Sequence, residues 1–155
     1  MSPIQTVYLD STFLVELLYG KQIASQGFEQ CYRLAEAIRQ NRVGAVVSFY
    51  ALPELYAYVA QHQPESEVSP VFRLSLVELF QLPIGVMPYL DRTDLNHLRL
   101  RFNISDPDDA RHVAAVLFKK CDAIITFDHH FDQVANVIPV YTPDEFLTTL
   151  KTSNA

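Results

Sequence analysis

With 155 residues, 49% of them apolar, and a mean hydropathy of +0.06, the chain can bury one real core and is no disordered segment. A formal net charge of −6 excludes a protein that holds nucleic acid by bulk attraction, because phosphate contacts come from Lys and Arg. Six of the twelve basic residues do fall between Arg92 and Lys120, which reads first as solvated helix faces and second as a binding strip.

A single domain over residues 1–150 with a short tail at 151–155 is therefore expected. No apolar run approaches the roughly 18 to 20 residues of a membrane span. The opening MSPIQTVYLD has no charged stretch followed by an apolar one, so the expected location is cytoplasmic. Cys31 and Cys121 lie far apart, outside any CxxC or Cys/His pattern, and read as reduced core residues.

In chain order, residues 4–9 form a short β-favouring run that ends on Asp10, and STFLVELL reads as a helix directly after it. A second helix is expected over residues 22–40, with Ile23, Phe28, Cys31, Leu34, Ala35 and Ile38 on one stripe. VGAVV follows as a buried strand, and Ser48 stands where an N-cap for FYALPELYAYVAQH would. Pro53 within that helix predicts a kink unless the preceding turn is irregular. QPESEVSP reads as a loop joining helices, VFRLSLVELFQL as a helix, PIGVMP as a strand and DRTDLNHLRLRF as another helix.

The last third repeats the alternation: a helix over residues 106–120, the strand DAIITF, the polar turn DHHFDQVAN, the strand VIPV and a closing helix. Thr142, Pro143 and Glu145 give that last helix a capping-box start. Strands alternating with helices predict an α/β domain with a mainly parallel central sheet flanked by helices.

Open parallel sheets form ligand sites at the carboxyl ends of their strands, where Asp10 and Asp128 are both expected. In the helix after Asp106, the residues Ala110, Val113, Ala114 and Leu117 make the buried face. Asp108 lies opposite that face, Asp109 borders it, and Asp106 either falls on it or caps the helix with Pro107 at the first position. Acidic residues at a helix start are often there for the dipole alone, and scattered surface acids are one reading of the set. The other is a shared metal site. Clustered carboxylates repel and take up protons unless a cation compensates, and oxygen ligands without Cys or a spaced His set suit Mg²⁺ or Mn²⁺ rather than Zn²⁺. His129 and His130 read as exposed turn residues rather than ligands, and His112 as a surface or packing residue.

From VYLDSTFLVELL to VIPVYTPDEFL, the chain resembles the PIN-domain nucleases, including the VapC-like toxins. The family's acids match Asp10 in YLDST, Glu54 in VVSFYALPEL, Asp109 in DDARHVAAV and Asp128 in ITFDHHF, in the right order. A helical wheel alone puts Glu54 away from a Phe49, Leu52, Tyr56 and Val59 stripe, so its assignment comes from the resemblance. What the resemblance implies is a three-layer PIN-like fold and a Mg²⁺- or Mn²⁺-dependent endonuclease acting mainly on RNA. Asp10, Glu54, Asp109 and Asp128 would be its ligands, and Asp106 would assist or replace Asp109. A toxin would further have an antitoxin protein as partner, and the apolar YALPELYAYV helix is consistent with a homodimer.

Ser11, Ser48 and Thr126 adjoin the acids and could orient them. The phosphatase fold that also begins with a strand-end aspartate needs a second acid two residues on, where this chain has Thr12. A phosphoryl-receiver domain is disfavoured too, lacking the acidic pair after the first strand and a matching lysine. The remaining rival is a catalytically silent PIN-like binding or scaffold module.

Overall fold

The computed structural model describes residues 5–153. Five strands, β1 (Thr6–Leu9), β2 (Gly44–Ser48), β3 (Gly85–Met87), β4 (Ala123–Ile125) and β5 (Val140–Tyr141), form one sheet in the order β3-β2-β1-β4-β5. Every pairing is parallel. Successive side chains alternate between the faces of a strand. Val7, Leu9, Ala45, Val47, Ala123 and Ile125 therefore enter one core, and Tyr8, Val46 and Ile124 enter a second on the opposite face.

Among the described residues, seven helices surround the sheet: α1 (Ser11–Tyr19), α2 (Gln26–Arg39), α3 (Ala51–His62), α4 (Glu65–Leu79), α5 (Arg92–Arg99), α6 (Pro107–Lys119) and α7 (Pro143–Ser153). Residues of α1, α2, α3, α4 and α7 close the first core. Those of α6 and a short 3-10 turn, His129–Val134, close the second. Helix, sheet and helix make the three layers expected. Burying a Val, Leu or Phe is worth roughly 1.5–3 kcal/mol, and double-sided burial offsets the weak local preference of such short strands. Cys31 and Cys121 are free and fall in different cores on opposite faces of the sheet; burial pushes both thiols up, Cys121 to about 11.

Several local expectations are corrected. α2 begins at Gln26, because Ala24 takes a left-handed φ of 49° and the Ser25 hydroxyl caps the helix; Ile23 stays exposed in the preceding turn. The segment read as a loop holds the first residues of α4, where Glu65 and Glu67 occupy a first turn that favours acids, and Pro70 is tolerated on an exposed face. Ser48 caps nothing: it is the last residue of β2, buried, and α3 starts three residues later. Pro53 falls in the first turn of α3, where helix N–H groups lack partners anyway, so no ladder bond is lost to it.

The buried face of α3 is Ala51, Leu55 and Val59, packed toward α1 and α4, while Phe49 and Tyr56 are exposed. On α6, Ala110, Val113 and Ala114 of the expected stripe are buried and Leu117 is half-buried, while His112, Ala115 and Val116 are buried in addition. The capping box of α7 is formed, with the Thr142 N–H donating to Glu145 Oε2 at 2.8 Å, and the helix runs on to Ser153. Ile4, expected in the first strand, lies outside the described residues.

Candidate active site

After β1 the chain adds β2 and β3 on one side and then crosses to β4 and β5 on the other. The crevice at such a reversal opens beyond the carboxyl ends of β1 and β4. Asp10 follows β1 and caps α1 there. Its Oδ2 accepts from the hydroxyls of Thr12 and Thr126, each at 2.8 Å, and from the Thr12 N–H at 3.3 Å. The same two hydroxyls accept in turn from the backbone N–H of Phe127 at 3.0 Å and of Asp128 at 2.9 Å. The loop after β4 is thus tied to the carboxylate that ends β1.

Asp128 caps the 3-10 turn, its Oδ1 accepting from the His130 N–H at 2.9 Å. Across from it, Asp106 caps α6 by accepting from the N–H groups of Asp108 and Asp109 at 2.8 and 3.2 Å. Asp109, one turn in, has a buried Oδ2 with no hydrogen-bond partner. His130 Nδ1 lies 3.5 Å from it, too far for a hydrogen bond of ordinary geometry. Burial first, and then the charges of Asp128, Asp106 and Asp10, push the Asp109 carboxyl up to about 6.

Glu54 stands in the first turn of α3, where its Oε1 lies 2.9 Å from Nε2 of His112, a buried residue of α6. Burial raises the Glu54 carboxyl, but the hydrogen bond and charge of His112 and the Ser11 hydroxyl outweigh it, and the net direction is down. An ionised carboxylate only accepts, so Nε2–H donates. Nδ1 of the same ring is 2.6 Å from the Tyr8 hydroxyl, which is 2.6 Å from the Ser48 hydroxyl. Both hydroxyls can rotate, so this buried row stays satisfied whether His112 is neutral or charged.

The four acids divide into two close groups of potential ligand atoms: Asp10, Glu54 and His112 in one, Asp109, Asp128 and His130 in the other. Within each group these atoms lie within 4.8 Å of one another. The charges of Asp10 and Asp128 both act on Asp109, so the groups adjoin. Asp108 points to solvent and pairs loosely with Arg111 at 3.5 Å. His129 is exposed as expected, and His130 is exposed too, yet reaches the acids.

Sequence reasoning missed His112, Thr12 and Tyr8. His112 carried one signal, since it stands three residues after Asp109 and so shares its side of the helix. Oxygen donors with two imidazoles beside them suit a hard divalent cation, and a buried, partnerless carboxylate oxygen repelled by three neighbours is costly without one.

A search of curated protein sequences returned no match. Solved structures similar in fold include the following three. VapBC2 from Rickettsia felis, bound to a DNA fragment from its promoter, aligns with TM-score 0.64 and 12% identity over 89% of this chain and 98% of that one. VapC20 from Mycobacterium tuberculosis, a sarcin–ricin loop cleaving toxin, aligns with TM-score 0.63 and 14% identity over 86% and 98%. FitAB bound to an IR36 DNA fragment aligns with TM-score 0.63 and 14% identity over 88% and 94%. A family model for the PIN domain matches residues 6–130. By that match, and with the all-parallel sheet and strand-end carboxylates already described, the chain belongs to the PIN-domain family.

Proposed function

We propose that this protein is a metal-dependent endoribonuclease that hydrolyses RNA phosphodiester bonds and acts as the toxin of a toxin–antitoxin pair. The observation that carries the reading is Asp109 Oδ2, buried and unpartnered among Asp10, Asp106 and Asp128 within a PIN fold. RNA as substrate is supported by the similar VapC20 structure, whose described target is the sarcin–ricin loop. An antitoxin protein is the partner the toxin role requires, and the cytoplasm is where such a substrate is met.

Asp10, Glu54, Asp109 and Asp128 would hold Mg²⁺ or Mn²⁺, with Asp106 assigned to capping α6 and steadying Asp109. The bound ion supplies orientation of the phosphodiester, a lower pKa for the attacking water and compensation of charge on the leaving oxygen. The rest is the work of this chain's own side chains. Thr12 and Thr126 fix the direction of Asp10 through two hydroxyl bonds. His112 fixes Glu54 at Oε1. Side-chain exposure is 14% at Asp109, 29% at Asp128 and 36% at Glu54, and Asp10 is 2% exposed. Glu54, the most open of the four, is assigned to accept the proton of the water.

The test is cleavage of a mixed structured and unstructured RNA pool in Mg²⁺, Mn²⁺ or EDTA, comparing wild type with Asp10→Asn and mapping new ends by sequencing. Metal-dependent cuts absent from the variant are expected. Equal backgrounds from both proteins, on DNA and RNA alike, would overturn the reading in favour of a silent fold.

A further inference from the structure

Beyond the carboxylates, the carboxyl edge of the sheet continues onto β2 and β3, and there the chain exposes aromatic rings that neither core uses. Phe49 follows β2 and Tyr89 follows β3, and the Phe49 N–H donates to the Met87 carbonyl at 2.9 Å, joining the two loops. Tyr89 meets Phe49 edge-on at 5.7 Å between ring centroids and Tyr50 edge-on at 5.0 Å. Tyr50 is itself held, because its hydroxyl accepts from the Leu90 N–H at 3.1 Å and its ring meets that of His112 at 6.3 Å.

Despite these supports Tyr89 remains 56% exposed. A ring fixed by its neighbours and open to solvent is what stacking of a nucleobase requires. Its position gives that surface a purpose. Tyr89 shares the wall of a cavity of about 210 Å³ with Glu54, His112 and Arg111. Arg111, paired only loosely with Asp108 at 3.5 Å on the same wall, brings a cation there, and β3 lies two strands from β1, a lateral step of roughly 10 Å at ordinary strand spacing.

We propose that Tyr89, supported by Phe49 and Tyr50, stacks an unpaired base of the RNA beside the cleaved phosphodiester, with Arg111 facing a phosphate of the same strand. This rests on the endoribonuclease reading and requires the stacked base to be unpaired, because a base inside a duplex already has both faces covered. Phe49 and Tyr89 also border an apolar groove with Tyr56 and Phe72, which a protein could cover. RNA is favoured because Tyr89 and Arg111 share one wall with Glu54, so a strand whose phosphate reaches that acid passes these side chains.

The experiment uses a short labelled single-stranded RNA containing a mapped cleavage site, together with copies carrying one abasic position at each place in turn. Binding is read by anisotropy in Mg²⁺ with Asp10→Asn as the non-cleaving background, and cleavage is read separately with Asp10 present. Tyr89→Ala is expected to raise Kd and KM by about 5- to 150-fold, the span of one base–aromatic stack, with kcat nearly unchanged. Tyr89→Trp should restore binding, and one abasic position should weaken the parent while adding nothing to Tyr89→Ala.

Cleavage by wild type together with a flat abasic scan would overturn the stacking site and leave the nuclease standing. A change of molar mass in light scattering for Tyr89→Ala, with unaltered Kd and KM, would reassign the rings to a protein contact. Absence of both binding and cleavage by wild type would remove the nuclease reading and this one with it.

Discussion

His112 Nε2 and Glu54 Oε1 lie 2.9 Å apart, and the imidazole that makes this bond is 1% exposed. The ring's other nitrogen bonds to Tyr8 of β1, whose hydroxyl bonds in turn to Ser48 of the adjacent β2, so one helix residue ties the sheet to the acid on α3. His112→Ala would leave the buried Tyr8 hydroxyl short of a partner and Glu54 free to swing. The expected cost is about 1–3 kcal/mol in denaturant unfolding and a roughly 10- to 100-fold loss of metal-dependent cleavage. Wild-type stability in this variant would show that the row of hydrogen bonds carries no weight.

The same pair sets a pH dependence in metal-free protein. Burial disfavours charge on His112, but the Glu54 bond and the carboxylates around it prevail and raise its pKa above 6.5. A raised imidazole pKa contributes stability that is fully present below the unfolded value and lost as pH rises through the folded one. Glu54 is lowered from 4.5, so its contribution is present above that value and lost as pH falls through the folded one. In EDTA, the contribution of this pair to Tm should therefore be largest between about pH 4.5 and 6.5 and fall on the alkaline side, on top of the separate slope set by Asp109. Glu54→Gln should flatten both arms, which a thermal-melt series in EDTA would read directly.

The parts of this site that local pattern could reveal are those set by strand ends. Asp10 and Asp128 were legible because each follows a short apolar run, and parallel neighbours bring such ends together. Continuous apolar strands also made the two-sided sheet legible. Periodicity failed for Glu54 because the wheel weighted Phe49 and Tyr56, large residues that the fold leaves exposed, over the small Ala51 that α3 buries. The bonds joining Tyr8, Ser48 and His112 were not legible for a different reason: they span 40 and 104 residues, and no local spacing encodes them. The start of α4 was hidden by prolines at both ends of a segment whose acids in fact open a helix.

Asp109→Asn should stabilise the metal-free protein while abolishing its response to metal. With its carboxyl pushed up to about 6 from 3.8, the ionised residue opposes folding at neutral pH, by at most about 3 kcal/mol if the whole shift acts on stability. The stabilising contribution of this group is present below its unfolded value and lost as pH rises through about 6, so the gain from Asn should appear at pH 7 to 8 and vanish near pH 4. Thermal melts with and without millimolar Mn²⁺ would check both halves. Wild type should melt higher with metal, because a ligand that binds only the folded state stabilises it, and the variant should not. Equal metal-induced shifts in the two proteins would remove Asp109 from the ligand set.

Thr126→Val tests whether orientation of Asp10, apart from its charge, matters. The substitution keeps the β-branched shape but removes a hydroxyl that donates to Asp10 Oδ2 and accepts from the Asp128 N–H. Both carboxylates lose a constraint at once, so a roughly 10- to 100-fold weaker Mn²⁺ affinity is expected, read as the concentration needed for half-maximal thermal shift. Thr126→Ser should keep the bonds and most of the affinity. Thr12→Val should resemble Thr126→Val, since Thr12 makes the matching pair of bonds to Asp10 Oδ2 and the Phe127 N–H. The two hydroxyls are themselves 3.1 Å apart, so the double variant should lose less than the sum of the single losses. Additive losses would mean that the threonines act on separate carboxylates, and unchanged affinity in both single variants would mean that Asp10 is held by its backbone alone.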